Sequence, residues 1–166
     1  MLYNVYPTLP NGNLYNSSEL CIALPWVPPP VGWIKINYDA AVGDDFAGIG
    51  FIIRDHRGRP LLVVGKRFFS RSCEAMEVQA ILEALDVVRH TFFELHAAVE
   101  VQTDSMFLLQ EVHNLLEQPP MGGFFSATIE HARSLSALRI EHVHREGNAP
   151  ADWVVRAACF TDFTWG

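Results

Sequence analysis

Cysteine is scarce in this 166-residue chain. Cys21, Cys73 and Cys159 are odd in number, far apart and without CxxC spacing, which excludes a zinc cluster or a disulfide framework and fits a reducing compartment. Long apolar runs are also missing. Nowhere do about 18 consecutive apolar residues occur. The opening MLYNVYPTLPNGNLYNSS lacks a basic segment leading into an apolar one, so neither a membrane span nor a secretory signal is read, and a soluble intracellular protein is expected. Basic residues are the third shortage: 12 Lys and Arg stand against 19 Asp and Glu, a net charge of −7. Bulk attraction to phosphates is thereby excluded, and any nucleic-acid contact must be local. A nuclear address has no basic cluster to support it.

Apolar residues, by contrast, make up 49% of the chain, enough for one substantial core at this length. Residues 1–32, with turn formers and LPWVPPPVG, favour extended polyproline conformation and are read as a poorly ordered leader or linker. Residues 33–166 are read as one domain. WIKINYDAAV alternates, with Ile34, Ile36 and Tyr38 on one face and Lys35, Asn37 and Asp39 on the other, as a strand does. AGIGFIIRD and RPLLVVGKRFF are two further strands joined through HRG as a hairpin.

SCEAMEVQAILEALDVVRH changes to helical period, with Val78, Ile81, Leu82, Leu85 and Val88 as its apolar stripe and Ser72 as its cap. AAVEVQTD is a fourth strand and SMFLLQEVHNLLE a helix stopping before Pro119. GGFFSATIEHARSLSA is a helix, LRIEHVH a fifth strand and APADWVVRAACF the last helix. The order β-β-β-α-β-α-α-β-α predicts an α/β fold: a mixed five-stranded sheet, three antiparallel strands then two parallel, flanked by helices.

Four acids stand at the ends of these elements. Asp39 lies near the end of the first strand, Asp104 ends the fourth, and Asp152 opens the last helix. Glu77 falls in the arc of its helix shared with Ile81, Ala84 and Val88, facing the core, where an unpaired carboxylate is costly. Each has an ordinary structural reading. In HVHREGNAPADWVV, Asn148 reads as an N-cap, Pro150 as a first-turn residue and Asp152 as an acid favoured by the helix dipole. Asp104 equally suits a helix start, and Asp39 a strand-end turn. Gathered in one place, however, carboxylates repel and raise each other's pKa values unless a cation joins them. Oxygen ligands suit Mg²⁺, and two such ions roughly 4 Å apart can promote phosphodiester hydrolysis.

The pieces GWIKINYDAA, GIGFIIRDHRG, EAMEVQAILEAL, VEVQTDS and HVHREGNAPAD, in that order, resemble the ribonuclease H superfamily. The resemblance is strongest to the plant RNase H-like (reverse-transcriptase-like) domain found alone or in non-LTR retroelements, and it runs from about Trp33 to Phe160. It implies a metal site of Asp39, Glu77, Asp104 and Asp152 holding two Mg²⁺, with Mn²⁺ as a substitute. It also implies endonucleolytic cleavage of the RNA strand of an RNA–DNA hybrid by a monomeric enzyme, leaving a 5′-phosphate.

The chain departs from the family pattern in three ways. Asp39 is followed by Ala40 and Ala41 instead of Gly, which could crowd the substrate. The short HREGNAPAD segment does not assure the family's mobile histidine, leaving His142, His144 or Arg145 as proton-transfer candidates. Basic residues are sparse, and Arg54, Arg57, Arg59, Lys66, Arg67 and Arg71 form either a local phosphate track, with Arg54, Arg67 and Arg71 as its contacts, or a solvated hairpin surface. Two other readings remain open: a catalytically silent nucleic-acid-binding or interaction domain derived from a retroelement, and a degenerate fragment, suggested by the abrupt end TDFTWG.

Overall fold

The computed structural model describes residues 26–69, 72–92, 98–118 and 126–166. Strands β1 (Trp33–Val42), β2 (Ala47–Arg54) and β3 (Pro60–Phe68) precede helix α1 (Cys73–Thr91). Strand β4 (Ala98–Thr103), helices α2 (Met106–Glu117) and α3 (Ser126–Ser134), strand β5 (Ala137–His142) and helix α4 (Ala149–Ala158) follow, and a short β6 (Phe163–Trp165) ends the chain. The sheet is ordered β5-β4-β1-β2-β3-β6. Strands β1, β2 and β3 pair antiparallel, while β4 lies parallel to β1 and β5 parallel to β4.

The expected mixed sheet is present with one strand more than predicted. Phe163–Trp165, in the segment read as an abrupt end, pairs antiparallel with Val63–Gly65 of β3. Three residues are too few for a period-two pattern to stand out, so the strand is invisible until β3 is in place.

The hairpin between β2 and β3 turns at Asp55-His56-Arg57-Gly58, where Gly58 supplies φ of 75°. Asp55, buried beneath the turn, accepts from the backbone amides of Arg57 and Arg59, both at 2.9 Å, and from Arg59 Nε at 2.8 Å. Burial alone would raise its carboxyl, yet the Arg59 contacts and these amides hold it down at about 2.

One sheet face forms the main core. Ile34, Ile36, Tyr38, Ile49, Phe51, Ile53, Val99 and Val101 pack with Ala80, Ile81, Ala84, Leu85 and Val88 of α1 and with Leu108, Val112 and Leu116 of α2. The opposite face of β1, read as simply polar, is buried as well: Lys35 and Asn37 are 2% and 1% exposed. Two elements cover it. Helix α4 lies against β2 so closely that a Cβ on Gly50 would stand 2.8 Å from the Val155 nitrogen, and one on Gly48 2.8 Å from the Val155 carbonyl. The chain at 26–32, the end of the expected leader, packs beside it through half-buried Trp26 and buried Pro29. Residues 1–25 of that leader lie outside the described residues.

Candidate functional site

The side chains at issue meet where β1 and β4 end and α1, α2 and α4 begin. Ser72 starts α1 by accepting the Ala75 amide at 3.2 Å, which sets Glu77 within the first turns. Ser105 starts α2, accepting the Leu108 amide at 3.4 Å, while its own amide is held by Thr103 Oγ1 at 3.0 Å. Asp104 is thereby fixed between strand and helix. Asp152 sits in the first turn of α4, whose distance from the sheet is set by Gly48 and Gly50.

Asp39, Glu77, Asp104 and Asp152 all line one open cleft of about 500 Å³. Each is half-buried. Sequence reasoning missed three other residues of this wall: Cys73, Ser105 and Arg156. Arg156 was legible as the i+4 partner of Asp152, and Ser105 as the cap following Asp104. Arg156 Nε meets Asp152 Oδ2 at 2.9 Å, and Arg145, also in the wall, approaches Oδ1 at 3.8 Å.

The electrostatics of the cleft are one-sided. Burial, then the charges of Asp104, Asp152 and Glu77, push the Asp39 carboxyl up to about 7, against the pull of the Ala40 amide that donates to it at 2.8 Å. Burial raises Glu77 as well, with Asp104 and Glu74 adding and the Ser105 hydroxyl opposing. The Cys73 thiol is raised by burial and by the carboxylates of Glu77, Asp39 and Glu74. Half-buried, mutually repelling oxygen donors fit a hard divalent cation. Among the described residues, however, no three acidic, thiol or imidazole groups are grouped closely enough to hold an ion.

The remaining candidates are dispersed. Ala40 joins the core cluster, and no residue other than glycine among those described takes positive φ, so the departure from Asp-Gly strains no backbone. Exposed His144 stands 6.0 Å from His142, ring centre to ring centre, and His142 Nε2 lies 3.2 Å from the Asp104 carbonyl oxygen. Neither histidine lines the cleft wall as Arg145 does.

Arg54 and Arg67 lie near opposite ends of the β2–β3 ladder, paired with Pro60 and Gly48. Arg54 stacks 4.5 Å above the Trp26 ring centre and Arg67 3.2 Å above that of Phe46. Arg71 lies outside the described residues. Asn148 does not act as the expected cap: its side chain makes no capping bond and turns inward, because a 3-10 turn at Arg145–Asn148 precedes α4.

A family model described as reverse transcriptase-like matches residues 37–158. No curated protein matches the chain significantly. Among solved structures, ribonuclease H1 of the archaeon Halobacterium salinarum aligns at a TM-score of 0.59 and 19% identity, over 76% of this chain and 97% of that one. LC11 ribonuclease H1, isolated from compost by a metagenomic approach, aligns in its complex with an RNA/DNA hybrid at a TM-score of 0.62 and 24% identity, over 76% and 96% of the two chains. The N-terminal ribonuclease H domain of a Mycobacterium tuberculosis protein aligns at 0.61 and 15% identity, over 76% and 93%.

Proposed function

The chain belongs to the reverse transcriptase-like family of the ribonuclease H superfamily, and on that premise we propose that it is an endoribonuclease hydrolysing the RNA strand of RNA–DNA hybrids. The observation that carries the reading is the convergence of four half-buried acids from β1, α1, the β4–α2 junction and α4 on one cleft, with Asp39 pushed up to about 7 by burial and by the other three. Distant residues assembled at that electrostatic cost are better explained by a cation than by four separate helix and turn preferences.

Asp39, Glu77, Asp104 and Asp152 would hold Mg²⁺, or Mn²⁺ in its place. Two such ions supply activation of water and stabilisation of the leaving oxygen in phosphodiester hydrolysis. The protein contributes position. Arg145 and Arg156 line the same wall and can turn from Asp152 to an incoming phosphate, since charge-assisted bonds from guanidinium suit phosphate oxygens. Arg145 or His144, at the exposed start of the 3-10 turn, serves in proton transfer on product release. Hybrid is distinguished from DNA duplex through 2′-hydroxyls in the wide minor groove, which needs shape and few phosphate contacts, in keeping with a net charge of −7. Binding of an RNA/DNA hybrid by the LC11 enzyme supports this choice of partner.

The test is cleavage of a labelled hybrid by a monomeric preparation with Mg²⁺, beside single-stranded RNA and duplex DNA. Hybrid-selective cutting lost in Asp39→Asn and Glu77→Gln is expected. Equal residual cutting by both variants would mean a contaminating nuclease and end the proposal. Hybrid binding without cutting would instead favour a silent binding domain, a reading supported by the absence of a preassembled ion cluster among the described residues.

A further inference from the structure

Four side chains that line no part of the cleft connect it to the segment before β1. Trp26 Nε1 donates to Asn37 Oδ1 at 2.9 Å. Asn37 Nδ2 donates in turn to Asn148 Oδ1 at 3.4 Å and to Gln102 Oε1 at 3.2 Å. Asn148 Nδ2 donates to the Tyr38 carbonyl at 2.9 Å. The two asparagines are 1% and 0% exposed, on the buried back face of β1.

The ends of this chain of bonds matter. Tyr38 immediately precedes Asp39, and Asn148 stands one helical turn ahead of Asp152. The network therefore ties the strand carrying the first acid to the element carrying the last. Its direction is set at both ends, because an indole N–H can only donate and the Tyr38 carbonyl can only accept. The indole holds the Asn37 oxygen towards Trp26, which leaves the Asn37 amide nitrogen for Asn148 and the Asn148 nitrogen for the Tyr38 carbonyl. Without that donor the Asn37 oxygen loses its indole partner inside the protein, where an unpaired polar atom is costly, and the strand shifts to relieve it.

Trp26 is itself held in place. Arg54 at 4.5 Å and Lys35 at 5.3 Å both stand over its ring, which also covers Gly58, where a Cβ would come within 3.2 Å of it. Lys35 Nζ also donates to the Val27 carbonyl at 2.5 Å. These contacts reach from the segment at 26–32 across the sheet to the β2–β3 turn.

We infer that Trp26, Asn37 and Asn148 are positioning residues for the candidate active site, with Trp26 anchoring the outer end of a buried relay that fixes Asp39 relative to Asp152. The inference rests on the nuclease reading for its catalytic consequence only. The segment ahead of β1 is then a working part of the domain and not a tether. Partners one step behind functional groups of this kind change metal affinity or activity by about 10- to 100-fold when lost.

The experiment uses the full chain with Trp26→Phe, which keeps an aromatic ring over Gly58 and removes the donor, and Asn148→Ala as the stronger change. Backbone amide NMR shifts of both are compared with wild type without metal, together with kcat and KM on hybrid and Mg²⁺ affinity by calorimetry. Expected for Trp26→Phe are shift changes reaching Asp39, Ala40 and Asp152, about ten-fold lower kcat at unchanged KM, and weaker Mg²⁺ binding. Shift changes confined to the neighbours of residue 26, with kcat and Mg²⁺ affinity unchanged in a folded protein, overturn the inference. Should Asn148→Ala fail to fold, Trp26→Phe decides alone. Wild type that neither cuts hybrid nor binds Mg²⁺ defeats the nuclease reading, while the metal-free shifts still decide the coupling.

Discussion

Lys35 and Asp39 are carried four residues apart on the same face of β1, and their surroundings could hardly differ more. Lys35 is buried against Glu100 on the neighbouring strand at 2.5 Å, and Arg139 reaches the same carboxylate at 3.3 Å. Charge there is matched by charge, and the cluster stays inside the protein. Asp39 has three acids for neighbours and, among the described residues, no cation of its own, since Arg145 and Arg156 are spent on Asp152. A balanced cluster is a structural solution; an unbalanced one at a cleft is what the proposed cation site requires.

The largest expected effect comes from making the same chemical change on both sides of this comparison. Asp39→Asn removes a charge the fold does not need, so cleavage of hybrid should fall by roughly 10³-fold, the scale on which loss of one electrostatic stabiliser acts. Its melting temperature at pH 8 should not fall. Glu100→Gln leaves buried Lys35 without its counter-charge and should cost about 3–5 kcal/mol in chemical denaturation. The comparison fails if Asp39→Asn unfolds the protein or Glu100→Gln leaves stability unchanged.

Gly50→Ala probes how the fourth acid is delivered. Its Cβ would stand 2.7 Å from Val154 Cγ1 and 2.8 Å from the Val155 nitrogen, so α4 must move outward and carry Asp152 with it. Stability should drop by about 1–3 kcal/mol, as overpacking does. Activity per folded molecule should fall too, separating this change from a merely destabilising one elsewhere in the core.

The pH dependence of the cleft carries a definite sign. Asp39 is raised from 3.8 to about 7, so between those values the folded protein binds more protons than the unfolded one. Metal-free stability should therefore increase as pH falls from 8 towards 5. Saturating Mg²⁺ should abolish that slope by stabilising the ionised carboxylate. Melting curves at pH 5.5 and 8, with and without Mg²⁺, check it, and a metal-free protein more stable at pH 8 would contradict the assignment.

Much of this was readable in advance, for reasons that particular residues make plain. The alternation of WIKINYDAAV and the helical period of EAMEVQAILEAL are local signals strong enough to place β1 and α1, and Glu77 stood out because it broke the second pattern. The other three acids were placed by the element ends they occupy, and their assignment to one site came from the family resemblance, because each alone also suits a cap or a turn. What escaped was set by tertiary contact. The polar side of β1 looked solvated until Trp26 and α4 were seen to cover it, and Asn148 looked like a cap because its spacing before Asp152 allowed that role. β6 was too short to announce itself. Arg54 and Arg67 were close in sequence, but the antiparallel ladder sends them to opposite ends.

The smallest expected effect tests whether the cations in the cleft are structural at all. Arg156 is 67% exposed and its partner Asp152 25%, so Arg156→Ala should change stability by less than about 1 kcal/mol, as for other solvent-screened pairs. A guanidinium used for phosphate should show itself differently: KM for the hybrid rises while kcat holds, and the salt dependence of binding becomes shallower by about one phosphate contact. Arg139→Ala is the matched control, because it pairs with Glu100 behind the sheet and stacks 4.8 Å over the Trp33 ring. That variant should lose stability and leave the salt dependence untouched. If Arg156→Ala instead behaves like Arg139→Ala, the ion pair with Asp152 belongs to the fold, and the cleft is more nearly balanced than its four acids suggest.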